Sequence, residues 1–195
     1  MEIYKNNRFE LALDEAGRGP FFGPVVAGAV VWGDAPDNEL IKDSKKLSEK
    51  NRIKALEWIK NNMYAYSTGI STVEEIDKYN ILEATKMAMQ RAIDNLDVND
   101  KKNIIIDGIY WEKKFSSPVE SVVKGDSKFR NIAAASILAK QTRDEIIENM
   151  CLEDNTLIEF YDIKKNKGYG TKKHRDGIKT HGITKFHRKS FKILP

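Results

Sequence analysis

The chain has 195 residues, of which 41% are hydrophobic and 32% charged, and its formal net charge is +4. This composition is typical of a globular protein and excludes a disordered chain, and no segment approaches the roughly 20 apolar residues that a membrane-spanning helix needs. The single cysteine, Cys151, excludes an internal disulfide, and together with a polar N-terminus that does not resemble a signal peptide it predicts a cytoplasmic protein.

The first half of the chain predicts two strands, a helix, a third strand and a second helix. In chain order these elements cover residues 9–13, 24–32, 47–63, 64–70 and 71–93. Ser48 has the position of an N-cap for the first helix. Ser71 and Glu74 have the spacing of a capping box, which predicts that the second helix begins there.

The second half predicts a buried strand over residues 103–108, another strand over 119–123 and a helix over 129–150. The continuous apolar residues of the first are typical of a strand that is covered on both faces. Strands that alternate with helices indicate an α/β fold, and the two strands that open the chain favour a mixed sheet. We therefore predict a single domain over 1–195, with a mixed central β-sheet flanked by helices.

The C-terminal part of the chain, at about 156–195, is strongly basic. Residues 164–192 contain eleven Lys or Arg and one acid, Asp176, so the rest of the chain is net negative. Clustered cations favour a nucleic-acid partner, because they release counterions from phosphates. A solvated basic tail is the alternative, but aromatic and glycine residues interrupt the basic run: Gly168, Tyr169, Gly170, Phe186 and Phe191.

Acidic residues stand where predicted strands end: Asp14 and Glu15 after the first, Asp107 after the buried strand, and Asp126 after the next. Such acids repel one another unless a cation neutralises them, and oxygen ligands favour Mg²⁺ or Mn²⁺. Two such ions can support phosphodiester cleavage. Adjacent residues of a regular strand face opposite sides, so a shared site for Asp14 and Glu15 predicts a bend within 16–20. For each of these acids taken alone, the alternative to metal binding is that its side chain caps a turn.

Seven sequence blocks then follow one another in a characteristic order. They are DEAGRGP at 14–20 with GPVVA at 23–27, DSKKLS at 43–48, IDG at 106–108, KGD at 124–126, AAASILAK at 133–140 with Arg143-Asp144, GYGTKKH at 168–174, and HRKSF at 187–191. Together they resemble ribonuclease HII, the type 2 ribonucleases H. The related ribonuclease HIII proteins have Lys in place of Arg18 and an additional N-terminal domain, for which the thirteen residues before Asp14 are too few.

The resemblance implies a ribonuclease H-like fold and an endonuclease that cuts RNA in RNA/DNA hybrids and nicks at single ribonucleotides embedded in duplex DNA. It implies products with 3′-hydroxyl and 5′-phosphate ends and a role in DNA replication and repair. By position, the metal-binding and catalytic acids would be Asp14, Glu15, Asp107 and Asp126. The loop around Lys124 would let Asp126 swing. The family is typically monomeric, so we expect a monomer.

The resemblance also implies substrate-binding residues. The backbone of Gly17, Arg18 and Gly19 would sense the 2′-hydroxyl, and Tyr169 would pack beside the junction between RNA and DNA. Lys45 and Lys46 are predicted to contact the strand that is not cleaved, with ordinary surface lysines as the alternative.

Helical spacing places Ser136, Lys140 and Arg143 on one face, which would suit phosphates, with a solvent-exposed face as the alternative. His174 and His187 are interpreted as phosphate contacts or hydrogen-bond donors, with a structural role as the alternative. Trp111, which follows Asp107-Gly108, is predicted to pack in the core, with a place near the substrate groove as the alternative.

Two other functions fit parts of this pattern. A hybrid-binding module without catalysis would retain the basic surface, but all four acids are present, which favours an enzyme. A nuclease of the same fold that cuts DNA alone is the second alternative. A duplex that contains no ribose distinguishes it from the ribonuclease.

Overall fold

A mixed five-stranded sheet lies at the centre of the fold in the computed structural model, which describes residues 1–98, 103–116 and 118–193. The strands are β1 (Leu11–Ala16), β2 (Val25–Val31), β3 (Ala65–Ser71), β4 (Ile104–Asp107) and β5 (Val119–Val122). The helices are α1 (Glu49–Asn62), α2 (Val73–Asp94), α3 (Gly125–Lys128), α4 (Arg130–Glu153), α5 (Thr156–Glu159), α6 (Ile163–Asn166) and α7 (Lys172–His181). Three 3₁₀ turns cover Tyr4–Asn6, Ser44–Lys46 and Trp111–Lys113.

The strand order is β3-β2-β1-β4-β5. β1 pairs antiparallel with β2, and β2 with β3, whereas β1 pairs parallel with β4, and β4 with β5. The carboxyl ends of β1, β4 and β5 therefore meet at one edge of the sheet. The acids predicted from the sequence all lie at or just beyond this edge.

Helices cover both faces of the sheet. Leu11 and Leu13 of β1 belong to the core that packs against α2, whereas Ala12 faces the side of α4. A Cβ atom at Gly28 of β2 would lie 2.4 Å from the carbonyl oxygen of Ala135, so the glycine allows α4 to rest directly on the sheet. Gly28 is the register partner of Asp14, and this close approach brings α4 beside that carboxylate.

The predicted α/β class and mixed sheet are confirmed, as is Ser48 as the N-cap of α1, where it accepts from the backbone N–H of Asn51. The predicted capping box of Ser71 and Glu74 is wrong by one residue. Thr72 and Glu75 form it, because Ser71 is still the last residue of β3 and pairs with Val25.

The C-terminal part, for which the sequence suggested no elements, contains α5, α6 and α7. Buried apolar residues such as Leu157, Ile163 and Ile178 pack with Phe22, so this part is held against the loop between β1 and β2. None of the helices in the described ranges is long and apolar enough to cross a membrane. The predicted single domain includes residues 99–102, 117 and 194–195, which lie outside the described residues.

Candidate active site

Three carboxylates converge at the sheet edge. One oxygen each of Asp14, Asp107 and Asp126 lies within 4.8 Å of the other two. Asp14 comes from β1 and is buried, Asp107 ends β4, and Asp126 is the second residue of α3. The parallel pairing of β1 with β4 and of β4 with β5 brings these positions together although they are far apart in the chain.

Backbone contacts hold this arrangement. The carboxylate of Asp107 accepts from the backbone N–H of Gly125 at 2.6 Å. The backbone carbonyl oxygen of Asp107 accepts from the indole N–H of Trp111 at 2.9 Å. Lys124 has a left-handed backbone (φ 54°), and this turn starts α3 directly after β5. The turn gives Asp126 its position beside the two strand carboxylates.

The predicted bend within residues 16–20 is present, at Arg18 and Gly19 after the positive φ of Gly17, but it follows Glu15, which itself lies in a regular strand. β1 continues to Ala16 in unbroken register with β2, and the adjacent side chains of Asp14 and Glu15 leave opposite faces. Glu15 is not part of the group of three carboxylates. It still lines the same cavity, where its Oε1 accepts from Arg18 at 3.1 Å, while its Oε2 is buried without a hydrogen-bond partner in the described part of the chain.

Electrostatic repulsion is concentrated at this site. Burial, followed by the charges of Glu15 and Asp107, raises the pKa of Asp14 well above its usual value. Burial and the charge of Asp126 raise the pKa of Asp107. Burial also raises the pKa of Glu15, against the lowering effect of Arg18. Carboxylates that repel one another, together with a buried oxygen that lacks a partner, fit a hard divalent cation with oxygen ligands.

A cavity of about 240 Å³ opens beside the carboxylates. The predicted substrate residues that line it are Gly17, Arg18, Gly19, Lys45, Ser136, Lys140 and Tyr169. Lys46 does not line it, since its ammonium group is 3.9 Å from Asp43 and its side chain is largely exposed. Lys45 places its Nζ 3.4 Å from Asp126, and that contact brings a cation to the rim.

The loop between β1 and β2 forms one wall of this cavity. Gly17 has φ 97°, a conformation that favours glycine. A Cβ atom at Gly19 would lie 3.5 Å from the ring of Tyr169, so the tyrosine stands next to the loop. The ring of Tyr169 is half exposed. Loop and ring together form a surface with open backbone on one side and an aromatic face on the other.

Three residues are candidates for phosphate contacts in the sequence, and the structure gives each of them internal hydrogen bonds instead, although Arg143 still lines the cavity. Arg143 is 1% exposed and donates to the carbonyl oxygens of Pro24, Phe22 and Lys167. His174 and His187 are fully buried and hydrogen-bond each other, so the structural alternative is correct for them. Trp111 is also buried, as predicted.

Sequence reasoning missed two residues near the cavity. Ser44 is buried and lies 3.0 Å from the hydroxyl of Ser136, and Arg188 is buried beneath the loop between β1 and β2. Both stand inside the blocks 43–48 and 187–191, and that was the only signal available for them.

Comparisons with known proteins agree on one family. The family model described as Ribonuclease HII matches residues 11–194. The ribonuclease HII of Parabacteroides distasonis is 46% identical over 191 residues, which cover 98% of this chain and 94% of that protein. The crystal structure of ribonuclease H2 from Pyrococcus horikoshii is similar with a TM-score of 0.72 at 28% identity, covering 94% of this chain and 93% of the other. Ribonuclease HII of Archaeoglobus fulgidus, solved in a complex with PCNA, shares the fold with a TM-score of 0.76 at 24% identity, covering 95% of each chain.

Proposed function

The chain belongs to the ribonuclease HII family, and from this premise we propose that it nicks duplex DNA at single embedded ribonucleotides as well as cutting longer RNA strands. The family gives the coarser activity directly: a metal-dependent hydrolase, a type 2 ribonuclease H, that acts as an endonuclease on RNA/DNA hybrids. The observation that carries the proposal is the open backbone of the loop at Gly17–Gly19 beside the three converging carboxylates. One ribose is the smallest target that such a loop can recognise.

We propose that Asp14, Glu15, Asp107 and Asp126 hold two divalent ions, Mg²⁺ or Mn²⁺. The buried, mutually repelling carboxylates and the unpartnered Oε2 of Glu15 support this assignment. When bound, two such ions activate a water molecule and stabilise the leaving oxygen, which gives 3′-hydroxyl and 5′-phosphate ends. Asp126 is proposed to be the ligand that can move, because it follows the turn at Lys124 and lies in the short helix α3.

The other residues of the cavity are proposed to position the substrate. The backbone of Gly17, Arg18 and Gly19 approaches the 2′-hydroxyl, which only the ribose carries. Tyr169 packs against the sugar of the next nucleotide. Lys45 and Lys140 contribute positive charge for the phosphates, although Lys140 also pairs with Asp144 at 2.7 Å. Ser136 contacts the carboxylate of Asp14, and its hydrogen bond partly offsets the raised pKa of that group.

The test uses three duplexes of one sequence: an RNA/DNA hybrid, a DNA duplex with one ribonucleotide, and DNA without ribose. We expect cutting of the first two with Mg²⁺ or Mn²⁺ and none in EDTA. The all-DNA duplex serves as the control. Cutting of that duplex at a similar rate would support a DNA nuclease of the same fold, and no cutting of the single-ribonucleotide duplex under either metal would refute the proposal.

Replacing the aromatic ring beside the loop tests the proposed recognition of the junction. We expect Tyr169→Ala to lower the preference for the single-ribonucleotide duplex over all-DNA duplex by roughly tenfold, about the contribution of one stacking contact. The measurement compares dissociation constants for both duplexes in Ca²⁺ or EDTA. Tyr79→Ala, which removes another exposed tyrosine outside the cavity, is the matched control. An unchanged preference in Tyr169→Ala would remove this residue from recognition.

Lys46 lies outside the cavity, so we propose that it contacts, from the protein surface, the strand that is not cleaved. The monomeric state, the cytoplasmic location and the role in replication and repair stay predictions. Gel filtration with light scattering tests the first of them.

A further inference from the structure

Arg188 is a fully buried arginine whose guanidinium group donates to backbone carbonyl oxygens and lies 5.0 Å from the centre of the Phe191 ring. Its Nε donates to Gly23 at 2.9 Å, and its Nη atoms donate to four further carbonyls of the same loop. Those four acceptors are Gly17 at 2.6 Å, Pro20 at 2.7 Å, Arg18 at 3.1 Å and Pro24 at 3.1 Å. One side chain therefore binds five carbonyls within a segment of eight residues.

A second buried arginine assists it. Arg143 on α4 donates to the carbonyl oxygens of Phe22 at 2.9 Å and Pro24 at 3.0 Å. In the described part of the chain, neither guanidinium has a carboxylate within ion-pair distance. Burial, together with the neighbouring Arg143, lowers the pKa of Arg188 to about 9, so its guanidinium still carries charge at neutral pH. Burial lowers the pKa of Arg143 as well. Two buried cations without an acidic partner within ion-pair distance are costly, and the peptide carbonyls, together with the ring of Phe191 beside Arg188, offset that cost.

The segment that carries Arg188 is itself anchored. The backbone N–H of Arg188 donates to the carbonyl oxygen of Phe21 at 2.8 Å. Asp77 on α2 accepts from the backbone N–H groups of Lys189 at 3.0 Å and Ser190 at 2.9 Å. Arg188 is therefore tied to the loop through its own backbone and to α2 through the two residues that follow it.

This arrangement determines which way the peptide groups of the loop point. Since the carbonyls of Gly17 and Arg18 are turned toward Arg188, the N–H groups of the same peptides point away from it. Throughout the described ranges, no acceptor is found for the backbone N–H of Arg18 or Gly19, and both residues line the cavity. Peptide dipoles with a cation at their carbonyl ends present a stronger positive end to a ligand.

We propose that Arg188, assisted by Arg143, is the positioning residue that turns the loop's N–H groups toward the ribose and so sets the preference for a 2′-hydroxyl. Arg188 does not touch the substrate; it acts through the loop. The inference rests on the proposed recognition of ribose by Gly17–Gly19. It adds that this recognition depends on the buried guanidinium, which the loop sequence alone does not provide.

Arg188→Lys tests the proposal, because lysine keeps the charge but cannot bind five carbonyls from one fixed plane. The dissociation constants of a single-ribonucleotide duplex and an all-DNA duplex are measured in Ca²⁺ or EDTA, with the unfolding temperature recorded for each variant. We expect the ratio of the two constants to fall about tenfold or more, with the affinity for all-DNA duplex changed less than about twofold. Arg8→Lys, which alters an arginine that donates to the carbonyl of Ala35 far from the cavity, is the matched control.

A folded Arg188→Lys protein with the wild-type ratio overturns the proposal. If this variant does not fold, Arg143→Lys decides: it alters the contacts to two loop carbonyls, and a smaller drop in the same ratio is expected, whereas no drop overturns the proposal. A wild-type protein that binds both duplexes equally would instead refute ribose recognition itself, so the two failures are distinguishable.

Discussion

Asp14→Asn is expected to lower the rate of cleavage by roughly a thousandfold or more while leaving the affinity for an RNA/DNA hybrid nearly unchanged. The substitution keeps the size of the side chain and removes one negative charge from the centre of the carboxylate group. Binding is proposed to depend instead on the basic and backbone groups of the cavity wall, which the substitution does not alter. Single-turnover cleavage and hybrid binding, measured on the same preparation, test both parts.

The same variant should behave in a characteristic way without substrate. Burial and the charges of Glu15 and Asp107 raise the pKa of Asp14, so its ionised carboxylate destabilises the folded protein when no metal is bound. We therefore expect the free energy of unfolding in EDTA to rise in Asp14→Asn. Added Mg²⁺ or Mn²⁺ should stabilise the wild-type protein and stabilise the variant much less, since a ligand that binds only the folded state shifts the unfolding temperature upward.

Asp34→Asn is the matched control, because Asp34 is exposed and lies outside the cavity. It should retain cleavage, the unfolding temperature in EDTA and the response to metal. Wild-type cleavage by Asp14→Asn would place the metal site elsewhere. A metal-induced stabilisation as large as that of the wild-type protein would contradict the proposed ligand role independently of activity.

The convergence of Asp14 and Asp107 could be anticipated because each follows an apolar run that had to be a buried strand. The continuous Ile104–Ile106 run fixed the second strand, and two parallel strands place their carboxyl ends together. The side chain of Glu15 could not be placed in the same way. Its position depends on how far β1 continues, and the pairing with β2 up to Ala16 decides that. The capping box failed for a similar reason: Ser71 and Thr72 both suit a cap, and only the pairing of Ser71 with Val25 excludes the first.

The buried cations were beyond sequence reasoning for a physical reason. Arginine is rarely buried without an acidic partner, so the sequence predicts Arg143 on a polar stripe that suits phosphates and assigns no role to Arg188. Their acceptors are backbone carbonyls. Every residue has one, so the sequence does not show which carbonyls bind an arginine. Which carbonyls turn inward depends on the loop conformation, and this depends in turn on the arginines.

The buried pair of His174 and His187 is expected to make the stability of the protein depend on pH. The Nδ1 of His174 lies 2.9 Å from the carbonyl oxygen of Tyr169, so it carries the proton and leaves its Nε2 as an acceptor. The Nε2 of His187 donates to it across 3.1 Å, and the Nδ1 of His187 accepts from the backbone N–H of Thr184 at 2.9 Å. This chain of hydrogen bonds is complete only when both rings are neutral. It ends at the backbone of Tyr169, the residue proposed to contact the ribose junction.

Burial and the neighbouring His174 lower the pKa of His187 to about 4, and burial lowers that of His174 as well. An unfolded chain takes up a proton on His187 near its ordinary pKa of about 6.5, whereas the folded protein does not. The unfolded state therefore binds more protons as the pH falls, and stability is lost between about pH 6.5 and pH 4. For His187 alone the loss amounts to about 3 kcal/mol over that range.

Urea unfolding of wild-type protein and His187→Gln at several pH values isolates this contribution. The raised pKa values of Asp14, Asp107 and Glu10 act in the opposite direction, since folded carboxyl groups that take up protons first gain stability as the pH falls. The two proteins share those groups, so the difference between their slopes belongs to the histidine pair. We expect the variant to be less stable at pH 7 but to lose less stability on acidification. The control is His181→Gln, which replaces an exposed histidine of α7 that stacks on Phe160, and it should retain the wild-type dependence of stability on pH. If His187→Gln shows the same dependence on pH as the wild-type protein, the fold does not hold the histidine pair neutral.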